Sequence, residues 1–176
     1  MSNKNKRSGI AVFAGVLVAV WLAGLAHPFG RPGDVSSDAP LLSGAKVDPS
    51  VLSIMERSCQ DCHSDRTKWP WYSRIAPVSW IVEKDVRDGR KDFNMSHWEQ
   101  YSAEQQEEIL ASISTLVRNN KMPQSKYTLL HRDAALHKAD VELIYRWAHS
   151  ERKRVKLQGD SNGLSAQAST YISVNK

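Results

Sequence analysis

The stretch Ser58-Cys59-Gln60-Asp61-Cys62-His63 decides how the rest of the chain is read. Two thiols stand three positions apart and a histidine follows at once. On a helical turn, residues i and i+3 lie on one face, so both sulfurs can reach the same edge of a flat ligand. C-x-x-C-H is the spelling used to attach a c-type haem, with thioethers from Cys59 and Cys62. His63 is then carried beneath the ring, where a ring nitrogen can bind the iron. Cys59 and Cys62 are the only cysteines among the 176 residues, so no other thiol competes for the role.

Three other chemistries use part of this pattern. A thioredoxin-like dithiol belongs beside a βαβ unit, and no strand pattern is visible. A zinc site needs further ligands at finger-like spacing. His97, His131, His137 and His149 are scattered and there is no second cysteine pair. A disulfide across two intervening residues closes a very small loop and stabilises little.

The formal charge of +5 divides unevenly. Residues 1–26 carry Lys4, Lys6 and Arg7 and no acid, leaving 21 of the 24 basic residues against 19 acids in the remainder. That near balance argues against a nucleic-acid partner. Residues 1–9 are polar and basic, and Ile10 to Ala26 then run for 17 residues without a charge. The run is longer than a signal-peptide core and near the lower limit for spanning a bilayer. Trp21 and His27-Pro28-Phe29 read as interfacial residues. The expectation is an uncleaved inner-membrane anchor over 1–26, its basic end in the cytoplasm and the rest in the periplasm. Cleavage would release a soluble periplasmic protein, leaving the thiols on the same side. Residues 27–46, rich in Gly, Pro, Ser and Asp, read as a flexible tether.

The folded region is expected over 47–152, as an all-α, small cytochrome c-like helical domain around a covalent haem. Asp48-Pro49 pairs a cap acceptor with proline at the first helical position. That helix carries Val51, Leu52 and Met55 toward the motif, and Met55 reads as core. Pro77 opens a second helix with Val78, Ile81, Val82 and Val86, for which Gly89 is the expected stop. Ser102 and Gln105 form a capping box for a third, striped with Ile109, Leu110, Ile113, Leu116 and Val117. A last helix covers about 138–152, with Val141, Ile144, Tyr145 and Ala148 inward. The basic run Arg152-Lys153-Arg154 reads as its solvated end. Residues 153–176 read as a disordered tail. So small a core predicts a poorly folded apo-form.

Around the ligand, Trp69, Trp71 and Tyr72 are candidate walls, with ordinary packing as the competing reading. Arg74 and Arg90 are candidate propionate partners, because guanidinium grips carboxylate in a fork. Met122, ahead of Pro123 in a loop, is the candidate second axial ligand, since a thioether favours Fe(II). Met95 is the weaker methionine, and His131 and His97 are the bis-histidine alternatives.

Together these segments resemble a bacterial family of small, membrane-anchored c-type cytochrome-like proteins, the haem-binding domain family. The resemblance covers about residues 28–150. It rests on CQDCHSDRTKWPWYSRIAPVSW (59–80), Asp85-Val86 with Gly89-Arg90, and Asn94-Met95-Ser96-His97-Trp98. Met122-Pro123 with Ser125-Lys126-Tyr127-Thr128, Leu130-His131 and Tyr145-Arg146-Trp147-Ala148 complete it. It implies one covalent haem c at Cys59 and Cys62 with His63 axial, and by analogy with cytochromes c a ligand at Met122. Arg132 replaces the family's usual proline and His137 its usual Ser or Thr cap, which puts the entry to the last helix in question. The expected function is single-electron transfer between membrane redox proteins and not enzymatic catalysis. The rival is a haem-based gas sensor or peroxidase-like enzyme with an exchangeable distal ligand. A third possibility is an accessory protein that docks a redox enzyme.

Overall fold

The computed structural model describes residues 3–30, 33 and 40–174. Part of the expected tether, residues 31–32 and 34–39, lies outside them, as do 1–2 and 175–176. Among the described residues every regular element is helical. In chain order they are α1 (Asn3–Gly24), α2 (Pro49–Ser58), α3 (Gln60–His63), α4 (Val78–Asp92), α5 (Ala103–Arg118), α6 (Ser125–Leu130) and α7 (Lys138–Val174). Three 3-10 turns, Trp71–Arg74, Met95–Gln100 and Arg132–Ala134, lie between them.

The helix starts follow from local chemistry. Asp48 accepts the Ser50 N–H at 2.9 Å and starts α2. Ser102 and Gln105 satisfy each other's backbone N–H and start α5. α5 ends where Asn120 turns into the left-handed region, φ 52°. The Lys121 N–H then reaches back to the Leu116 carbonyl at 2.8 Å and Asn120 to Val117 at 3.1 Å, a Schellman end. The questioned entry to the last helix is also resolved. His137 caps α7 and its own N–H is taken by Asp140 at 2.9 Å.

The core forms where α5 packs on α7, the most extensive pairing in the molecule. Leu110, Ile113 and Val117 meet Ile144, Trp147, Ala148 and Val155, with Val51, Ile54 and Met55 of α2 closing one side and Met95 and Trp98 belonging to the same cluster. The reach of this core corrects two boundaries. Residues 40–46 are not tether-like, because Leu41 and Leu42 are buried in the cluster. Leu42 is left-handed (φ 56°), which costs about 1–2 kcal/mol for a residue with a Cβ. Burying its side chain returns about 1.5–3 kcal/mol, and its N–H bonds to the Met95 carbonyl at 2.8 Å. Burial wins.

The tail boundary moves too, since α7 continues past 152 to Val174. Val155 is core and Glu151 is a buried carboxylate. Glu151 accepts the Lys46 N–H at 3.0 Å and pairs with Arg154, which also donates to the Gly44 carbonyl. Arg154 is thus a staple between α7 and residues 44–46, where a solvated helix end was expected.

α1 exposes Ile10, Phe13, Val16, Leu17, Trp21 and Leu22 to its surroundings. Among the described residues no helix is long and apolar enough to cross a membrane, so the expected spanning anchor over 1–26 is not supported. The segment after α1 docks on α4. Trp80 donates to the Ala26 carbonyl at 2.9 Å, His27 Nδ1 meets the buried Glu83 at 2.6 Å, and Arg87 lies over the Phe29 ring at 4.6 Å.

Candidate functional site

The site is built on a break in the helix. At Cys59 the backbone leaves helical geometry (φ −127°), so α2 ends and α3 restarts as a separate turn. The turn closes by bonds from the Cys62 and His63 N–H groups to the Cys59 carbonyl, at 3.3 and 3.0 Å. Both cysteines are free thiols. Burial pushes each thiol up to about 12, so both are protonated at neutral pH.

α4 lies against this turn, and Gly89 is the reason it can. A Cβ at that position would stand 2.6 Å from the Cys62 carbonyl oxygen and 3.0 Å from its carbonyl carbon. Gly89 is therefore a contact residue inside α4 and not a helix stop; α4 runs on to Asp92. The close approach brings its carbonyl to His63. The His63 Nδ1–H donates to Gly89 O at 2.8 Å, with Phe93 O at 3.3 Å behind it. A ring whose Nδ1 carries the proton presents Nε2 as a lone pair, the arrangement of a metal-ligating histidine. Phe93 stacks on the imidazole, centroids 4.3 Å apart. Burial holds the His63 pKa below its ordinary value, against the opposite pull of the Phe93 and Gly89 carbonyls. The imidazole is neutral.

Behind the turn Asp65, buried, collects Asn94 Nδ2 at 2.7 Å and His97 Nε2 at 2.7 Å. Arg90 donates to the Ser64 carbonyl at 2.9 Å and the Thr67 hydroxyl at 3.0 Å, and stands 3.8 Å from Asp65. Of the two candidate propionate partners, Arg90 thus braces the turn's exit, while Arg74 is exposed. His97 has its other nitrogen on Gln100, at 3.0 Å, so neither is free for a metal.

The remaining candidates gather around α6. Met122 is half-buried in the bend between α5 and α6, its N–H on the Leu116 carbonyl at 3.3 Å. Met95 and Met55 are core residues. The Tyr72 hydroxyl is hydrogen-bonded to His131 Nε2 at 2.5 Å, and Tyr127 stacks on the His131 ring at 4.3 Å. Tyr127 in turn donates to Asp61 Oδ2 at 2.8 Å. Burial and that carboxylate both raise the phenol's pKa, so it stays a donor. Trp71 is 76% exposed and touches Tyr72 edge-on. Trp69 lines an open groove of about 800 Å³ with Arg57, Gln60, Asp61, Tyr127 and His131. Cys59, Cys62 and His63 are not among its lining residues.

Sequence reading missed Phe93, Asp65, Asp61 and Tyr127. Phe93 sits four residues after Gly89, the spacing of one helical turn, which is the signal that connects both to one histidine. Asp61 occupies a spacer position of the motif, where the C-x-x-C-H spelling sets no side chain.

The donor set fits a haem. Two free thiols share one turn, the imidazole presents Nε2, and a glycine lets the neighbouring helix lie close against the turn's backbone. A family model described as haem-binding domain matches residues 18–150, well over half of the chain. No curated protein matches, and no solved structure matches.

Proposed function

The chain belongs to the haem-binding domain family, and on that premise we propose that it is a monohaem c-type cytochrome-like electron carrier. When bound, haem supplies a one-electron iron couple. The observation that carries the proposal is the Nδ1–H of His63 on the Gly89 carbonyl at 2.8 Å, four residues from one free thiol and beside another. In this reading Cys59 and Cys62 hold the macrocycle as thioethers. His63 is the proximal ligand, kept in one tautomer and orientation by Gly89 and Phe93. Met122 would be a second iron ligand, and a haem held by both side chains would supply single-electron transfer. The exposed apolar side chains Ile75, Val78, Leu129 and Leu130 flank the Tyr72–His131 contact and offer surface for a large flat ligand or a redox partner. The expected spanning anchor is not supported by α1, so this reading places the domain on the periplasmic face of the inner membrane with the exposed apolar side chains of α1 as its contact with the bilayer surface.

Expression in a host equipped for cytochrome c maturation tests this. Colour should survive acid–acetone extraction, give a c-type pyridine haemochrome, and appear in the membrane fraction. Loss of colour on extraction refutes covalent attachment. A second measurement separates the sensor or peroxidase-like reading, which the partial exposure of Met122 keeps in play. Wild-type reduced protein should ignore carbon monoxide, whereas Met122→Ala should turn high-spin and bind it. A low-spin, gas-inert Met122→Ala would reassign the ligand.

A further inference from the structure

α6 buries none of its residues, and a helix so short has no stability of its own. Its position is set from outside. Lys126 pairs with Asp85 of α4 at 2.7 Å, and His131, just past its end, is bonded to Tyr72 at 2.5 Å. Tyr127 reaches Asp61, the residue between the two thiols, at 2.8 Å. Asp61 is itself fixed, because its second oxygen accepts the Lys68 N–H at 3.0 Å and its carbonyl accepts the Thr67 hydroxyl at 2.7 Å. In the other direction the Tyr127 N–H bonds to Gln124 O at 3.0 Å, two residues after Met122. The start of the same loop is held by the Lys121 and Met122 N–H groups on Leu116 O. The methionine loop is therefore a short span, tied to α5 at one end and through α6 to the attachment turn at the other.

We propose that Tyr127 is a positioning residue that ties the Met122 loop to the attachment turn through Asp61, so that one hydrogen-bonded frame holds both faces of the haem. The inference rests on Met122 being the second axial ligand. Of the three ties, the Lys126–Asp85 pair is more than half exposed on its lysine side and is screened. The Tyr72–His131 bond reaches only the 3-10 turn. The phenol–carboxylate bond is charge-assisted and ends inside the motif itself.

Tyr127→Phe removes the hydroxyl and keeps the ring on His131. In the purified holo-protein, haem content should match wild type. Imidazole should displace the methionine with about tenfold higher affinity, the scale of one charged hydrogen bond. The sulfur-to-iron charge-transfer band should weaken in step. Arg154→Ala, which removes the α7 staple to the Gly44 carbonyl and lies outside the groove that Tyr127 lines, controls for general destabilisation and should leave imidazole affinity at the wild-type value. Wild-type affinity in Tyr127→Phe, or an equal rise in Arg154→Ala, overturns the proposal while the band in wild type keeps the methionine reading. Absence of the band in wild type, with Met122→Ala binding imidazole no better, overturns the methionine reading and this inference with it.

Discussion

Gly89 has no side chain, and the site needs that absence more than the presence of most others. It lets α4 come close enough for one carbonyl to fix the tautomer of His63. Gly89→Ala would press a methyl on the backbone of Cys62, a contact that no rotamer change relieves. Overpacking of this kind costs about 1–3 kcal/mol. The expected outcome is a lower melting temperature together with less attached haem per protein, read by thermal denaturation and pyridine haemochrome on one sample. An unchanged haem yield would mean that the turn can retreat without losing its geometry. Leu42 is the opposite case, a residue that carries backbone strain because its side chain fills the core.

At the scale of elements, the helices are joined by a few buried or half-buried polar staples as well as by apolar faces. Arg57 of α2 meets Asp140 of α7 at 2.9 Å, and the same carboxylate caps α7 through the His137 N–H. Burial alone would raise the Asp140 pKa. The bonds from His137 and Arg57, with the Arg57 charge, outweigh it and hold the carboxyl below its ordinary value. A depressed carboxylate pKa means that the unfolded chain takes up the proton first as the medium acidifies. The contribution of Asp140 is therefore fully present at neutral pH and is lost as pH falls below the ordinary carboxylate range, through the folded-state value. Asp140→Asn should be less stable than wild type in urea at pH 7, and the gap should narrow at an acid pH below the ordinary carboxylate range. A gap that is the same at both pH values would remove the charge from the explanation.

Across the whole molecule, two regions divide the work. One is the apolar block of α2, α5, α7 and residues 41–42, whose side chains pack on one another. The other is the set α3, α4, α6 and the turn at Trp71–Arg74, whose contacts are largely hydrogen bonds and whose apolar side chains at Ile75, Val78, Leu129 and Leu130 stay exposed. A large macrocycle stabilises the second region far more than the first. The apo-form should thus be partly folded, more ordered than the small core suggested from sequence. Hydrogen exchange on a Cys59→Ala/Cys62→Ala protein should leave α5 and the first half of α7 protected, with protection lost over α4 and α6. Uniform loss across both regions would tie the whole fold to the ligand.

The thiol spacing, the adjacent histidine, the caps at Asp48 and Ser102 and the apolar stripe of α5 were all legible in the chain, because each is a relation between residues a few positions apart. The helical class followed from the same periodicity. What pairs with what was not legible. Gly89 with Cys62, Tyr127 with Asp61, Glu151 with Lys46 and Leu42 with Met95 are separated by roughly 30 to 100 positions, and no local spacing records them. These pairings depend on how helices approach one another, which burial decides for the chain as a whole. The C-x-x-C-H motif was thus written in five consecutive residues, while the frame that orients its histidine came only from tertiary packing.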